Sequence, residues 1–515
     1  MYDYIFKNAL VVDGSGKAPY KADVATFAGA IALIGQSGLT RGKNIIDCKG
    51  KILSPGFVDM HTHTDLEVLR DRNATARIIQ GITTDVTGNC GIGTFPNVNP
   101  YLKDFVGDVL GSYDSWSWSD YTSWMNYVLK DGIGSNQLYL VSHSALRVAA
   151  MGHDSGRGAT EDEIVSMCSY LDEALSSGAH GLSTGLYYSP CLYASRDEIL
   201  ALLAIVKEHD ALFTVHHRCE GNDVVESLKE VLDLASESGV KIEISHLKAI
   251  GDKNQDKVQT LLDMIDECRE KGVDVKFDQY PYIYGSTSLF SLLPPSILAF
   301  SKYEQCLALS LENSREDMKK EILSPDGWDS IYQMVGPEKI KAIYLEHHPE
   351  YNGMTITELG NKLKKDPLDA LFDVLSEETG LAVMEDITTT EENLKKIMAH
   401  SLMCFGSDSL YSSPMPHPRS FHSTVEFLSK YVRDEKVLTL EEAIRRMTSE
   451  PCSRLNLTGR GLIKEGYAAD IVVFDLNALS PDGLFANKGF DYVLVNGVAA
   501  MANGNLTGAR GGIVL

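Results

Sequence analysis

The stretch SPGFVDMHTHTD, residues 54–65, ends an apolar run with two histidines, His61 and His63. In a strand, residues two apart point to the same side, so both imidazoles would face one point in space. Imidazole nitrogen is a common zinc ligand, and two of them on one face could begin a metal site. The alternative is a pair of strand histidines that only form hydrogen bonds, and the rest of the chain has to decide between the two.

Short β-rich runs alternate with helical stripes through the middle of the chain. Thr160 and Glu163 predict a capping box at the start of one helix, and Gly178 predicts its end. The run HGLSTGL follows as a strand, and the same alternation continues through LFTVHH and KIEISH. Strands that alternate with helices in this way predict an α/β fold with a parallel sheet and crossover helices.

Eight candidate strands occur in this pattern: FVDMH near residue 57, ITTDVT near 82, LYLVSH near 138, HGLST near 180, LFTVH near 212, KIEIS near 241, VKFDQY near 275 and LMCFGS near 402. Eight strands predict a (β/α)8 TIM-like barrel, whose active sites gather at the C-terminal ends of the strands. Such a barrel would bring a set of reactive side chains to one mouth. Each of them lies at or just after the end of a strand: His61, His63, Cys90, His216, His246 and Asp408.

Both ends of the chain are β-rich and contain no catalytic pattern. We expect the two termini to form one small β-sandwich domain around the central barrel. The predicted parts are residues 1–53 for the N-terminal half of that domain, 54–424 for the barrel, and 425–515 for the last barrel helices with the C-terminal half. A long insertion at about residues 287–400 separates the seventh and eighth strands.

Three of the four tryptophans lie in the segment between the second and third predicted strands. A long segment at the catalytic face of a barrel could act as a lid. Aromatic packing against the barrel rim is the alternative, and the sequence leaves both open.

Composition limits the partners and the compartment. The 515-residue chain has 71 acidic and 47 basic residues, a formal net charge of −24, so no nucleic-acid partner is expected. Nine cysteines without paired spacing favour a reducing compartment over a disulfide framework. Since the chain has neither a signal-peptide pattern nor a long apolar run, we expect a soluble cytoplasmic protein with no membrane segment.

Eight motifs follow one another through the chain: SPGFVDMHTHTD, GITTDVTGNCGIG, GLSTGLYYSP, TVHHRCEG, ISHLKAIG, DQYPYIYGSTSL, GSDSLYSSPMPHPR and GLIKEGYAADIVVFD. Together they resemble the D-aminoacylases, or N-acyl-D-amino-acid deacylases, of the amidohydrolase superfamily, from about residue 2 to 513. His-x-His and a late aspartate are shared by many amidohydrolases, whereas GNCGIG and the YPYxxGST string are narrower. Met60, His217 and Cys219 depart from the usual pattern of the family. His216 matches the ligand position, so His217 is not expected to bind metal.

The resemblance implies a metal centre with two metal positions that differ in affinity. In many amidohydrolases a carbamylated lysine holds the metals at mid-barrel. In the D-aminoacylases a cysteine takes its place, and Cys90 lies where that pattern puts it. The implied ligands of one tightly bound Zn²⁺ are Cys90, His216 and His246. A second, weaker metal position is implied near His61, His63 and Asp408.

The reaction that the resemblance implies is hydrolysis of a linear amide, which releases a carboxylate and a free D-amino acid. A bound zinc ion lowers the pKa of water toward neutrality and stabilises the oxyanion that forms on the acyl group. Asp408 is the predicted proton carrier, which takes a proton from the water and passes it to the departing amine nitrogen. Taken alone, an aspartate in the string GSD could instead be a turn residue.

A substrate of this kind carries an α-carboxylate, which an acidic chain can bind only where it places cations. Lys248, just after the sixth strand, and Arg419, after the eighth, are the candidates. The run TSLFSLLPPS at residues 287–296 has no basic residue, so we expect neutral or apolar D-amino acids rather than D-glutamate or D-aspartate. By resemblance, further contacts to the carboxylate come from Tyr188, Tyr280 and Ser286.

Two other functions stay open at the level of the sequence. Opening of a cyclic amide, such as a hydantoin or a dihydropyrimidine, would use the same barrel and metals, although a mid-barrel lysine would be expected there in place of Cys90. A catalytically inactive barrel used as a binding scaffold would tolerate lost ligands, whereas all the candidate ligands are present. The sequence indicates no oligomeric state.

Overall fold

The strands of the computed structural model, which describes residues 1–35, 38 and 40–515, fall into three groups. The N-terminal strands are β1 (Tyr2–Val11), β2 (Tyr20–Phe27), β3 (Ala30–Gly35), β4 (Gly42–Asp47) and β5 (Ile52–Pro55). The central strands are β6 (Phe57–Asp59), β7 (Ile82–Thr87), β8 (Asn136–Ser142), β9 (Gly181–Gly185), β10 (Leu212–His216), β11 (Lys241–Ile244), β12 (Val275–Gln279), β13 (Tyr284–Ser288), β14 (Ile340–Leu345), β15 (Met354–Thr355), β16 (Ala382–Ile387) and β17 (Met403–Phe405). The C-terminal strands are β18 (Ile471–Phe474), β19 (Ser480–Pro481), β20 (Asn487–Lys488), β21 (Phe490–Val495), β22 (Val498–Ala502) and β23 (Asn505–Leu506).

The α-helices are distributed between and after the central strands. From the first to the ninth they are α1 (Glu67–Arg70), α2 (Thr75–Ile78), α3 (Leu102–Leu110), α4 (Tyr121–Leu129), α5 (His143–Met151), α6 (Glu161–Ser176), α7 (Arg196–Glu208), α8 (Val224–Ser238) and α9 (Val258–Glu270). The later helices are α10 (Pro295–Leu298), α11 (Lys302–Ser310), α12 (Glu312–Leu323), α13 (Ile331–Val335), α14 (Ile356–Leu363), α15 (Pro367–Glu377), α16 (Glu391–Ala399), α17 (Arg419–Glu426), α18 (Leu440–Arg446) and α19 (Ser449–Arg454). A π-helical turn over Phe427–Asp434 continues α17.

Eight parallel strands form the barrel, in the order β17-β12-β11-β10-β9-β8-β7-β6. The barrel closes between its first and last strands, where the amide of Met60 donates to the carbonyl of Phe405 at 3.2 Å. Just beyond the strand ends, the amide of Asp408 donates to the carbonyl of His61 at 2.7 Å. All eight strands predicted from the sequence are present, and the predicted (β/α)8 barrel is confirmed.

The crossover helices form where caps and apolar stripes coincide. At the start of α6, the Thr160 side chain accepts from the amide of Glu163, and the Glu163 carboxylate accepts from the amide of Thr160, as the capping box requires. The stripe that α6 buries against the barrel contains Met167, Leu171 and Leu175. These features confirm the predicted helix. Its apolar face packs against the barrel because burial removes these side chains from water.

Both termini contribute to one sheet, in the order β23-β22-β21-β18-β5-β1-β2-β3, with β4 paired to β1. β5 joins the two halves, because it pairs in parallel with β1 and antiparallel with β18. The apolar core of this domain draws on both ends of the chain through Phe6, Leu53 and Ile471. A small β-domain built from both termini is therefore present, as the sequence predicts.

The insertion between β12 and β17 has its own sheet, in the order β13-β16-β14-β15, and its own apolar core. Its strands begin at Tyr284 and end at Ile387. The predicted bounds, residues 287–400, contain most of this sheet and also α16. In α16, Leu394, Ile397 and Met398 pack in the core of the barrel.

The tryptophan-rich segment packs against the barrel rim. Trp118 and Trp124 are buried in the barrel core, with ring centroids 4.5 Å apart, and Trp116 stacks on Trp118 at 5.1 Å. Aromatic packing, one of the two alternatives from the sequence, accounts for this cluster. Among the described residues, no helix is both long enough and apolar enough to cross a bilayer.

Arg77, on α2, connects the strands on either side of the point where the barrel closes. Its guanidinium pairs with Asp59 at the end of β6 and with Asp85 of β7, the latter at 2.7 Å. It also donates to Ser409, beyond β17, at 3.2 Å. The arginine is only 3% exposed, and both carboxylates are buried, so each charge depends on its partner.

We expect the substitution Arg77→Met to destabilise the protein by about 3–5 kcal/mol, because it leaves two buried carboxylates without their cation. The measurement is the shift in the apparent midpoint of thermal unfolding. Lys229→Met is the control, since the pair Lys229–Asp233 is exposed and should contribute less than about 1 kcal/mol. Equal midpoints for both variants would contradict the structural role of Arg77.

Candidate metal centre and active site

Cys90 lies in a tight turn directly after β7, where its backbone has a φ of +53°. This turn packs against the end of β9 so closely that a Cβ on Gly185 would lie 2.1 Å from the Cys90 carbonyl oxygen. Only glycine fits there without displacing the turn. The strained backbone of Cys90 and the bare backbone of Gly185 together aim the thiol into the barrel mouth.

Cys90 and two histidines from neighbouring strands place their donor atoms together. The Cys90 Sγ is 3.5 Å from His246 Nε2 and 3.9 Å from His216 Nδ1, and these two nitrogens are 2.9 Å apart. Ligand atoms around one tetrahedral zinc ion are roughly 3.3–3.7 Å apart, given bonds of about 2.0–2.3 Å. One thiolate and two imidazoles at these distances could hold one zinc ion.

A second group of donors adjoins the first. Oδ1 of Asp408 is 3.5 Å from His61 Nε2 and 3.3 Å from His63 Nε2. The same His61 nitrogen is 3.2 Å from the sulfur of Cys90, so the two groups form one continuous cluster. The structure thus brings together all six of the residues that the sequence selects as metal ligands, and each is buried.

The protein surroundings favour the thiolate form of Cys90. Burial raises the pKa of the thiol, but the positive charge of His61 and hydrogen bonds from His216 and His246 outweigh it. The pKa of Cys90 is therefore well below its usual value. The thiolate is the form that binds metal, so the cluster is arranged for a cation before one is bound.

Asp408 is held as a carboxylate by Arg419. Burial raises the pKa of Asp408, but the guanidinium of Arg419, 2.8 Å from Oδ2, and the imidazole of His63 hold it well below the usual range. Its backbone has a φ of +51°, which places the carboxylate at the start of the loop after β17. One oxygen faces the histidines and the other faces the arginine.

The five residues predicted to contact substrate line one cavity together with three of the donors, His216, His246 and Asp408. The cavity has an empty volume of about 520 Å³. Within it, Arg419 donates to the Ser286 carbonyl at 2.9 Å, and its guanidinium carbon lies 5.1 Å from the centroid of the Tyr280 ring. The predicted substrate residues that line this cavity are Lys248, Tyr188, Tyr280, Ser286 and Arg419.

Comparison with known families assigns the chain. The sequence pattern of the Amidohydrolase family matches residues 44–279 and 367–499. The match leaves out residues at both chain ends and most of the insertion between β12 and β17. The chain belongs to the amidohydrolase family. The unmatched residues 280–366 of this amidohydrolase fall in the insertion between β12 and β17.

Three similar proteins cover almost the whole amidohydrolase chain. The D-aminoacylase of Alcaligenes xylosoxydans xylosoxydans is 30% identical over 100% of this chain and 97% of its own length. The N-acyl-D-aspartate deacylase of the same organism is 31% identical over 99% and 93%. The crystal structure of N-acyl-D-glutamate deacylase from Bordetella bronchiseptica, complexed with zinc and a phosphonate mimic of the tetrahedral intermediate, is 28% identical, with a TM-score of 0.84 over 100% of this chain and 99% of that chain. The resemblance to D-aminoacylases seen in the motifs is confirmed.

Glu220 is a residue of the amidohydrolase site that the sequence analysis missed. Its Oε1 atom is 2.6 Å from Lys248 Nζ and 3.1 Å from His246 Nδ1. Burial lowers the pKa of Lys248, but the charge of Glu220 outweighs it and raises the pKa above the usual value. In the sequence, Glu220 could have been recognised by its position in TVHHRCEG, four residues after His216.

Asp278, at the end of β12, is a second missed residue. Its Oδ2 atom is 3.0 Å from His61 Nδ1, and its Oδ1 atom accepts from the amide of His246 at 2.9 Å. One carboxylate thereby orients ligands from both halves of the cluster. In the sequence, Asp278 could have been recognised by its position in DQY, at the end of a predicted strand.

Two histidines near the site form hydrogen bonds elsewhere. His217 Nδ1 is 3.2 Å from the hydroxyl of Ser227, and burial lowers the pKa of His217 to about 3. His143 lies 2.8 Å from Thr184 Oγ1 and 2.9 Å from Glu198 Oε1. Neither imidazole belongs to the donor cluster described above.

We expect Asp278→Asn to lower the affinity for zinc by about 10–100-fold, because a carboxylate that orients metal-binding histidines contributes this much. The measurement is competition with a chromophoric chelator. Asp266→Asn is the control, since this exposed aspartate on α9 pairs with His400, which is outside the cluster. Unchanged zinc affinity in Asp278→Asn would show that His61 and His246 are oriented without it.

Proposed function

We propose that this amidohydrolase hydrolyses the amide bond of N-acyl-D-amino acids in a zinc-dependent reaction, releasing a carboxylate and a free D-amino acid. The observation that carries the proposal is the cluster of one thiol, imidazoles and Asp408, which reaches through His216, His246 and Asp408 into a cavity that also contains two cations. Two of the similar proteins are an N-acyl-D-aspartate deacylase and an N-acyl-D-glutamate deacylase. The cation pair suits a substrate with a free carboxylate.

The proposed metal arrangement is one tightly bound Zn²⁺ and a second, weaker site. The donor chemistry fits, because a sulfur with two imidazole nitrogens favours zinc, whereas a site with two imidazoles and one carboxylate lacks the soft ligand. When bound, zinc lowers the pKa of water and polarises a carbonyl group. The proposed tight ligands are Cys90, His216 and His246. The proposed weak ligands are His61, His63 and Asp408.

Asp408 would move the proton in this reaction. Arg419 keeps its carboxylate ionised, so Oδ1 can accept a proton from the attacking water as the oxygen bonds to the acyl carbon. The same carboxyl then donates that proton to the amine nitrogen as the carbon–nitrogen bond breaks. The carboxylate is thereby regenerated, and the products are one acid and one amine.

Lys248 and Arg419 would bind the substrate carboxylate. Each is paired with an acid of the protein, Lys248 with Glu220 at 2.6 Å and Arg419 with Asp408 at 2.8 Å. These pairs hold both side chains in place within a buried cavity. Hydrogen bonds from Tyr188, Tyr280 and Ser286 would complete the binding site.

We propose neutral or apolar substrate side chains. Ile250, Ile331 and Met334 line the same cavity. Among the described lining residues, Lys248 and Arg419 are the sole lysine and arginine. A second carboxylate on the substrate would have to be desolvated without a cation of its own, which is costly.

The decisive experiment pairs a zinc assay with a panel of N-acetyl-D- and N-acetyl-L-amino acids. We expect zinc to copurify, and hydrolysis of N-acetyl-D-leucine and N-acetyl-D-methionine to exceed that of the L-isomers and of N-acetyl-D-glutamate. Chelation should abolish turnover, and zinc should restore it. Preference for an L-isomer, or for N-acetyl-D-glutamate, would contradict the proposed substrate class.

Matched cysteine variants separate the metal from the fold in the same assay. Cys90→Ser should lose zinc and turnover together, because a hydroxyl replaces the thiolate ligand. Cys268→Ser, at a buried thiol on α9 outside the cluster, should keep both. Zinc retention by Cys90→Ser at the wild-type level would exclude the proposed tight site.

We expect Asp408→Asn to retain the fold and to lower kcat by at least about 100-fold, since an amide cannot carry the proton. Circular dichroism and steady-state kinetics on N-acetyl-D-leucine are the measurements. Ser412→Ala, in the loop that follows, is the control, because Ser412 does not line the cavity. Near-normal turnover by Asp408→Asn would refute the assignment.

A further inference from the structure

The active-site cavity contains a carboxylate that the proposed reaction does not use. Asp386 lies on β16 of the insertion, lines the cavity, and is 4% exposed. Among the residues that the structure describes, none forms a hydrogen bond with its Oδ2 atom. Burial raises its pKa to about 6, against the positive charge of Lys248. Because this buried oxygen lines the cavity, it can accept a hydrogen bond from a bound molecule.

The other charged side chains of this cavity have partners. Lys248 pairs with Glu220, and Arg419 pairs with Asp408. Asp329 accepts from the amides of Gly221 and Asn222, at 2.7 and 3.0 Å. Asp386 therefore differs from the other carboxylates of the cavity in having an oxygen available to a bound molecule.

The position of Asp386 connects it to the proposed carboxylate-binding residues. It pairs across the sheet with Gly285 of β13. A Cβ built on Gly285 would lie 3.4 Å from the Tyr280 hydroxyl and 3.6 Å from Asp386 Oδ1. Glycine thus leaves open the space between these two polar groups, where the substrate can reach both.

The lining of the cavity suggests what reaches Asp386. Ile250, Ile331 and Met334 offer an apolar surface that suits an aliphatic chain. A side chain that crosses this surface and ends in an N–H donor would meet the unpaired carboxylate. An ammonium or guanidinium donor adds charge to the hydrogen bond and strengthens it.

We propose that Asp386 selects N-acyl-D-amino acids whose aliphatic side chain ends in a cationic N–H donor, such as D-lysine, D-ornithine or D-arginine. This inference rests on the proposed function and extends its substrate class from neutral side chains to cationic ones. An acidic side chain would face Asp386 directly and is excluded by repulsion.

The test uses N-acetyl-D-lysine and N-acetyl-D-norleucine, which share a four-carbon side chain and differ by the terminal ammonium. The wild-type zinc enzyme should have the higher kcat/KM for the lysine substrate. In Asp386→Asn, the lysine-to-norleucine ratio of kcat/KM should fall by at least about tenfold, the value of a hydrogen bond to a charged group. Glu385→Gln is the control, because this neighbour on β16 does not line the cavity, and its ratio should stay at the wild-type value.

The possible failures are distinguishable. If wild type hydrolyses neither substrate nor any other N-acetyl-D-amino acid, the proposed function fails. If wild type prefers norleucine, or if Asp386→Asn lowers both activities equally, the proposed function stands and the inference about Asp386 is overturned. The inhibition constants of free D-lysine and D-norleucine on the wild-type enzyme give the same comparison without a variant. Stronger inhibition by D-norleucine would also overturn the inference.

Discussion

The hydrogen bond from the amide of Asp408 to the carbonyl of His61 is the contact on which the site depends. It joins the first and last strands of the barrel at the catalytic mouth. Since the two residues are far apart in the chain, closure alone makes the carboxylate a neighbour of His61 and His63. Arg77 supports the same junction, because it pairs with Asp59 of β6 and donates to Ser409 after β17. Any register shift at this seam would separate Asp408 from the histidines.

Buried charge is balanced locally in this protein. Arg77 lies between two carboxylates, Glu220 pairs with Lys248, and Arg419 pairs with Asp408. Each arrangement keeps an otherwise costly charge inside the protein and fixes its direction. The cluster around Cys90 differs from these ion pairs, because it brings a thiolate, imidazoles and a carboxylate to one region. Such donors gain most from a cation, which makes metal binding part of the stability of the barrel mouth.

The residues that line the cavity come from two parts of the chain, the barrel and the insertion. The barrel supplies the metal-ligand candidates and both cations, whereas β13 and β16 of the insertion supply Ser286 and Asp386. The insertion has its own apolar core, so these cavity residues come from a separately packed part of the chain.

The sequence alone predicts the alternation of strands and helices, the eight barrel strands, the β-domain from both termini and the six donor residues at strand ends. These follow from local periodicity and from residue type, which are properties of short segments. The fold in three dimensions was needed to see that Glu220 and Asp278 contact the donors and that α16 packs in the barrel core. It was also needed to see that Asp386 lines the cavity with an oxygen that has no hydrogen-bond partner among the described residues. These features depend on contacts between residues distant in the chain, and burial, which sets the environment of each charge, arises only when those contacts form.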